Sequence, residues 1–170
     1  MTRCDPGVTP PVRIVEVDDA AAAAVRGTMA STDPFARGFP RAGDLEAIDA
    51  WERGAIVFLI VSDGAVVGTC GTHGPAPRSG PFELGWGIVC EARGRGAGTA
   101  AVCQLLSELE TRHPASPLLA HTMWRDSDDG LVAESPASER ILISQGFAAE
   151  PIPAGPGERA WRREAPAGLS

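Results

Sequence analysis

Val102, Leu105, Leu106 and Leu109 recur at i, i+3, i+4 and i+7, the spacing that lines one face of an α-helix. That helix is predicted to end near His113-Pro114, where a proline cannot continue it. Elsewhere the apolar positions run together or alternate with the period of strands. Val12 to Val17, Ala55 to Val61, Ala65 to His73, Phe82 to Val89 and Leu118 to Trp124 each read as β. Ser62-Asp63-Gly64 joins two of them as a hairpin, and Gly74 to Pro81 is a longer hairpin connection. After the first strand, Asp18 or Asp19 caps a short alanine-rich helix that stops near Gly27. Asp44 then caps a second helix in which Leu45, Ile48 and Trp51 face inward, ending at Gly54 with Glu52 and Arg53 exposed. Near the C-terminus, Ser135 suits an N-cap, Pro136 the first helical position and Gly146 the left-handed stop of a short helix. The order along the chain is βααβββαβαββ, an α/β pattern without internal repeat.

Length and charge narrow the classes. At 170 residues the chain reads as a single domain, 1–170, large enough to bury a core without staples. Its longest apolar run, Ala55 to Val61, is too short to span a bilayer, and Met1-Thr-Arg-Cys-Asp-Pro lacks the apolar core of a signal peptide. A cytoplasmic protein without membrane contact is expected. Cys4, Cys70, Cys90 and Cys103 have no metal-ligand spacing, and three of them sit among apolar residues, so reduced packing cysteines and no metal site are expected. The net charge of -7 argues against nonspecific nucleic-acid binding and mildly favours a cationic small molecule or peptide.

The chemistry concentrates at the end of the strand that begins at Phe82. There Arg93-Gly-Arg-Gly-Ala-Gly-Thr99 places glycines at alternate positions between a strand and the start of the amphipathic helix. Gly94, Gly96 and Gly98 let backbone approach a ligand closely, and the first turn of a helix offers unpaired N–H groups to an anion. Arg93 and Arg95 add positive charge. Other phosphate-binding designs fit less well. A dinucleotide fingerprint needs Gly-x-Gly-x-x-Gly and an acidic ribose partner about twenty residues on, which weakens a nucleotide-dependent oxidoreductase. A P-loop needs lysine, and all 15 basic residues here are arginines.

Arg93-x-x-Gly96-x-Gly98 at this junction resembles the acyl-CoA loop of the GNAT superfamily of N-acetyltransferases, Gln/Arg-x-x-Gly-x-Gly/Ala. A second segment, Ser135-Pro-Ala-Ser138 running to Gly146-Phe147, resembles the Asn-x-x-Ser to Gly-Phe helix of the branch that contains ribosomal-protein N-terminal acetyltransferases, with Ser135 in place of asparagine. The resemblance implies an α/β (α+β) GNAT fold with a mixed, mostly antiparallel central sheet, splayed strands and flanking helices. Residues from about Phe147 to Ile152 and from Glu158 to Arg163 would form its closing hairpin. It further implies transfer of an acetyl group from acetyl-CoA, the co-substrate, to a primary amine of a small molecule or peptide N-terminus. A homodimer is left open.

On individual residues, the resemblance implies that backbone groups of Ile88, Val89 and Cys90 pair with the pantetheine arm. It places the pyrophosphate on N–H groups of Arg95, Gly96, Ala97, Gly98 and Thr99, with Arg93 at the Gln/Arg position, Gly94 in the turn, and Thr99 and Ser135 near the rest of CoA.

Acetyl transfer requires an amine without its extra proton, and alkyl ammonium groups titrate at about 10. Glu83, a carboxylate in an otherwise apolar strand beside the cofactor site, is the leading base, acting directly or through water. His121 in the neighbouring strand is the alternative, while His73 and His113 read as peripheral. Asp126, Asp128, Asp129 and Glu134 form an acidic loop able to receive a cation or simply to be solvated. Many relatives carry a tyrosine acid four residues before the glycine of Gly-Phe. This chain contains no tyrosine, Leu142 holds that position, and Ser138 is the hydroxyl available to the leaving thiolate. An acyl-CoA-binding module without transferase activity is the alternative from another class.

Overall fold

The computed structural model describes residues 12–127, 130–151 and 157–165. The elements are β1 (Val12–Glu16), α1 (Asp19–Val25), α2 (Ala42–Glu52), β2 (Val57–Ser62), β3 (Ala65–Thr72), β4 (Phe82–Ile88), a 3-10 turn (Cys90–Ala92), α3 (Ala97–Arg112), β5 (Leu118–Ser127), β6 (Gly130–Ala133), α4 (Pro136–Ser144), β7 (Ala148–Ala149) and β8 (Glu158–Arg163). The sheet order is β1-β2-β3-β4-β5-β8-β7, with β6 attached to β5 alone. Every pairing is antiparallel except β4 with β5.

The apolar stripe of α3 is the part of the pattern that the fold uses most directly. Val102, Leu105, Leu106 and Leu109 are all buried, and each such side chain removed from water contributes about 1.5–3 kcal/mol. Ile88 touches Gly98 of α3 with its side chain, whereas Gly87 beside it receives the guanidinium of Arg41 at the start of α2. Neighbouring strand residues face opposite sides, so α2 and α3 cover opposite faces of the sheet. Gln104 on α3 also reaches β1, accepting from the Ile14 N–H and donating to the Val12 carbonyl, which occupies backbone groups of an edge strand.

The caps expected at Asp18 and Ser135 are present, as is the left-handed Gly146. Asp44 differs. Arg41 is the N-cap of α2 and Asp44 lies three residues in, fully buried, its carboxylate accepting from the Arg41 N–H at 2.8 Å. With Asp44 turned inward, Leu45 is exposed, Ile48 is buried and Trp51 is half-buried.

Part of the loop expected after Trp124 is strand: β5 runs on to Ser127 and pairs with β6, Asp126 opposite Leu131. Asp128, Asp129 and Ile152 lie outside the described residues. The cysteines also depart from a uniformly reduced, packed set. Cys103 is disulfide-bonded, a pairing that sequence spacing does not reveal, and Cys90 is exposed. Cys70 is buried, which pushes its thiol up to about 12 and keeps it protonated. Among the described residues no helix is long and apolar enough to cross a membrane.

Candidate active site

The parallel ladder between β4 and β5 has only three rungs, Phe82 with Leu118, Glu83 with Leu119 and Leu84 with Ala120. Beyond Leu84 and Ala120 the strands separate, and a cavity of about 630 Å³ opens beside α2. Gly71 lies opposite Gly85 in the β3–β4 register, and both line the cavity with Gly87. A Cβ at Gly85 would lie 2.2 Å from His73 Nε2, and one at Gly87 would lie 2.2 Å from Arg41 Nη2. The two glycines of β4 thus make room for side chains from other elements.

Arg41 is fixed in that room by buried Asp44. Its Nε and Nη2 donate to the two carboxylate oxygens at 2.8 and 2.7 Å, and Thr69 Oγ1 donates to Asp44 Oδ1 at 2.8 Å. The remaining Arg41 nitrogen, Nη1, donates to the Ile88 carbonyl at 3.1 Å. One buried carboxylate therefore ties the start of α2 to β3 and, through Arg41, to the diverging end of β4.

At the vertex of the gap three titratable groups meet. His121, the first residue of β5 past the ladder, brings Nδ1 to 3.1 Å from Glu83 Oε1. His73 brings its Nδ1 to 3.4 Å from the same oxygen. Side-chain exposure is 27% for His121, 42% for Glu83 and 59% for His73. Glu83 is therefore part open to water, not enclosed among apolar groups, and its neighbours are imidazoles. His121 and His73 line the cavity together with Ser138. The sequence reading left His73 at the periphery. The antiparallel register brings it in, because the His73 N–H donates to the Glu83 carbonyl at 2.9 Å.

The glycine loop has the geometry of an anion site. Gly96 is the N-cap of α3 with φ 83°, a conformation that glycine adopts without penalty, and it provides no side-chain cap. The first intrahelical bond runs from Ala100 N–H to the Gly96 carbonyl, which leaves the N–H groups of Ala97, Gly98 and Thr99 directed outward. Gly94 also has positive φ, at 74°. Gly98 is set by packing: a Cβ there would lie 3.3 Å from Ile141 and 3.4 Å from Ile88. Arg93 is partly engaged, its Nε donating to the Ile88 carbonyl at 3.1 Å. Arg95 is exposed.

Backbone pairing along β4 alternates. The Glu83 carbonyl and the Val89 N–H bond toward β3 and its extensions, so the groups of Trp86 and Ile88 face the gap. Val89 differs from the expected pairing residue, since its N–H donates to Val67 and its carbonyl accepts from Ala92. The Cys90 carbonyl likewise accepts from Arg93. The Ile88 carbonyl carries two guanidinium donors.

Opposite the loop, Ser135 caps α4 and its hydroxyl lies 2.8 Å from the Ser138 hydroxyl. Leu142, four residues before Gly146, is fully buried.

A family model described as an acetyltransferase (GNAT) domain matches residues 12–135. The chain belongs to this GNAT family. It is an acyl-CoA-dependent N-acetyltransferase, and membership does not favour a module that binds without transferring. Three solved structures share the GNAT fold at low identity. A GNAT-family acetyltransferase from Desulfovibrio desulfuricans is 19% identical with a TM-score of 0.61, over 91% of this chain and 99% of that one. RimL, a ribosomal L7/L12 alpha-N-protein acetyltransferase in complex with coenzyme A, is 13% identical with a TM-score of 0.62, over 96% and 98%. The ribosomal-protein-S18-alanine N-acetyltransferase of Escherichia coli is 18% identical with a TM-score of 0.60, over 93% and 97%. No curated protein sequence matches significantly.

Proposed function

We propose that acetyl-CoA binds across the mouth of the β4–β5 gap and that a primary amine enters the cavity beside α2 to be acetylated at His121. The observation that carries this reading is the coincidence of the end of the three-rung ladder, the cavity and the Glu83–His121 pair at one point. The pyrophosphate is held by the N–H groups of Ala97, Gly98 and Thr99 and by the charge of Arg95, with Arg93 and Gly94 shaping the turn. The N–H groups of Trp86 and Ile88 face the pantetheine arm and the thioester oxygen, where preorganised donors lower the barrier most.

His121 Nε2 accepts the proton of the acceptor ammonium, because Nδ1 is turned to Glu83. Glu83 fixes the ring and its tautomer and stabilises the imidazolium that forms. The freed amine attacks the thioester carbon, the C–N bond forms, and the C–S bond breaks. Ser138 hydrogen-bonds the departing thiolate, which takes up the second proton of the attacking nitrogen, so that the products are the amide and the CoA thiol. This reverses the roles read from sequence alone, in which Glu83 was the base and His121 the alternative. The test is to mix the protein with acetyl-CoA, a panel of amines, amino acids and peptides, and a thiol reagent. CoA release that depends on an acceptor is expected, and release by none of them would overturn the assignment.

Two substitutions probe the cofactor side. Gly96→Val forces a β-branched residue into positive φ, which costs about 1–3 kcal/mol. Acetyl-CoA affinity measured by calorimetry is expected to fall about 5- to 150-fold. Unchanged affinity would remove the pyrophosphate from this loop. Ser138→Ala deletes one neutral hydrogen bond, worth about 0.5–1.5 kcal/mol, so turnover is expected to fall about two- to tenfold. Because Ser138 also contacts the cap of α4, its melting temperature is the control. Full turnover at unchanged melting temperature would assign this serine to the helix alone.

A further inference from the structure

The cavity wall carries a charge that the catalytic groups do not use. Arg53, the C-cap residue of α2, lines the cavity, and among the described residues no ion pair or hydrogen bond engages its guanidinium. This sets it apart from Arg41 on the same wall, which buried Asp44 neutralises. Arg13, Arg26, Arg112, Arg162 and Arg163 are likewise paired with carboxylates. Adjacent Gly54 packs against Pro75, its Cβ position 3.4 Å from the proline ring. That contact sets Arg53 beside the end of β3, where His73 also lines the cavity. Glu46 lines the same wall seven residues earlier, about 10 Å along the helix axis at 1.5 Å per residue, too far to pair with Arg53. The wall of α2 therefore carries both signs, an acid within the helix and, just past its end, a guanidinium unpaired among the described residues.

Resting on the acetyl-transfer reading above, we propose that the acceptor is an amine that also carries a carboxylate, of the amino-acid or short-peptide type. Arg53 binds the carboxylate, and the amine points to His121 and Glu83. An ammonium in transit meets Glu46, while the carboxylate meets the guanidinium, whose planar fork matches it in geometry as well as charge. A diamine or polyamine would set a second cation against Arg53. The net charge of -7 does not decide this preference, since exposed charges beyond about 8 Å are largely screened at physiological salt. The volume also fits: about 630 Å³ lies within the roughly 300–1,000 Å³ of small-ligand pockets.

The experiment compares amino acids and short peptides with their C-terminal amides and with diamines of similar length, using acceptor-dependent CoA release by the full chain. Wild type is expected to favour the acid over its amide by about tenfold or more in kcat/KM, as a charge-assisted pair provides. Arg53→Gln is expected to bring that ratio close to one, mainly through the KM of the acid, Arg53→Lys to restore part of it, and Arg53→Glu to invert it. A wild-type preference for amides or diamines, or an acid-to-amide ratio that survives Arg53→Gln, would overturn the inference while leaving acetyl transfer intact. Failure to release CoA with every acceptor would overturn both.

Discussion

His121→Gln is expected to lower kcat by about two to four orders of magnitude, the usual worth of a general base, with acetyl-CoA affinity close to that of the unaltered protein. The expectation follows from which groups reach the cavity. His121 lines it, whereas Glu83 stands behind with its oxygen against Nδ1 of the ring. Glu83→Gln presents an amide that can turn a donor toward that nitrogen and hold the wrong tautomer, so a smaller loss of at least about tenfold is expected. Because the two residues act as a unit, the double variant is expected to lose little more than His121→Gln alone. Steady-state kinetics over a range of pH decide between the two roles. If His121→Gln kept full turnover while Glu83→Gln abolished it, the carboxylate itself would take the proton.

Asp44→Ala is expected to cost the largest share of stability of any single polar change, about 3 kcal/mol or more. It would remove a carboxylate with no exposed surface and strand its partners Arg41 and Thr69. The figure sits at the lower end of the range for broken buried pairs because Arg41 keeps some access to water, 29% of its side chain being exposed. Against a domain stability of about 5–15 kcal/mol this is a major loss. A urea midpoint shifted by less than the equivalent of about 1 kcal/mol would mean that the pair only breaks even against its desolvation. Arg41 also rests on Gly87 and the Ile88 carbonyl, so the same variant is expected to weaken acetyl-CoA binding at the mouth of the gap.

The elements most legible in the sequence were those with an apolar signal of their own. The α3 stripe states which face meets the core, and the runs of β2 and β3 are largely apolar because both of their faces are buried. Caps were legible where the cap is local, as at Asp18 and Ser135. Asp44 was not, since an acid near a helix start reads as a cap until Arg41 and Thr69 are seen to converge on it. The Arg125-to-Ser127 stretch reads as a loop because its polar residues disfavour strands, yet pairing with β6 overrides that preference. Glu83, His121 and the glycine loop could be named one by one. That His73 joins them depends on register: a hairpin connected by residues 74–81 sets the end of β3 beside the start of β4, and that signal was available. Which backbone groups of β4 face the gap was not, because it depends on where the β5 ladder stops.

Three rungs between β4 and β5 divide the sheet into two leaves joined along a short spine. A small change in the angle between such leaves moves points near the spine very little and points at the open edge a great deal. His121 and Glu83 sit at the spine, one on each leaf, whereas the Gly96 loop and Ser135 lie toward the open edge. The Glu83–His121 spacing is thereby insulated from the width of the mouth. A single constellation at the vertex can keep its spacing while the rim adjusts to acyl groups of different bulk.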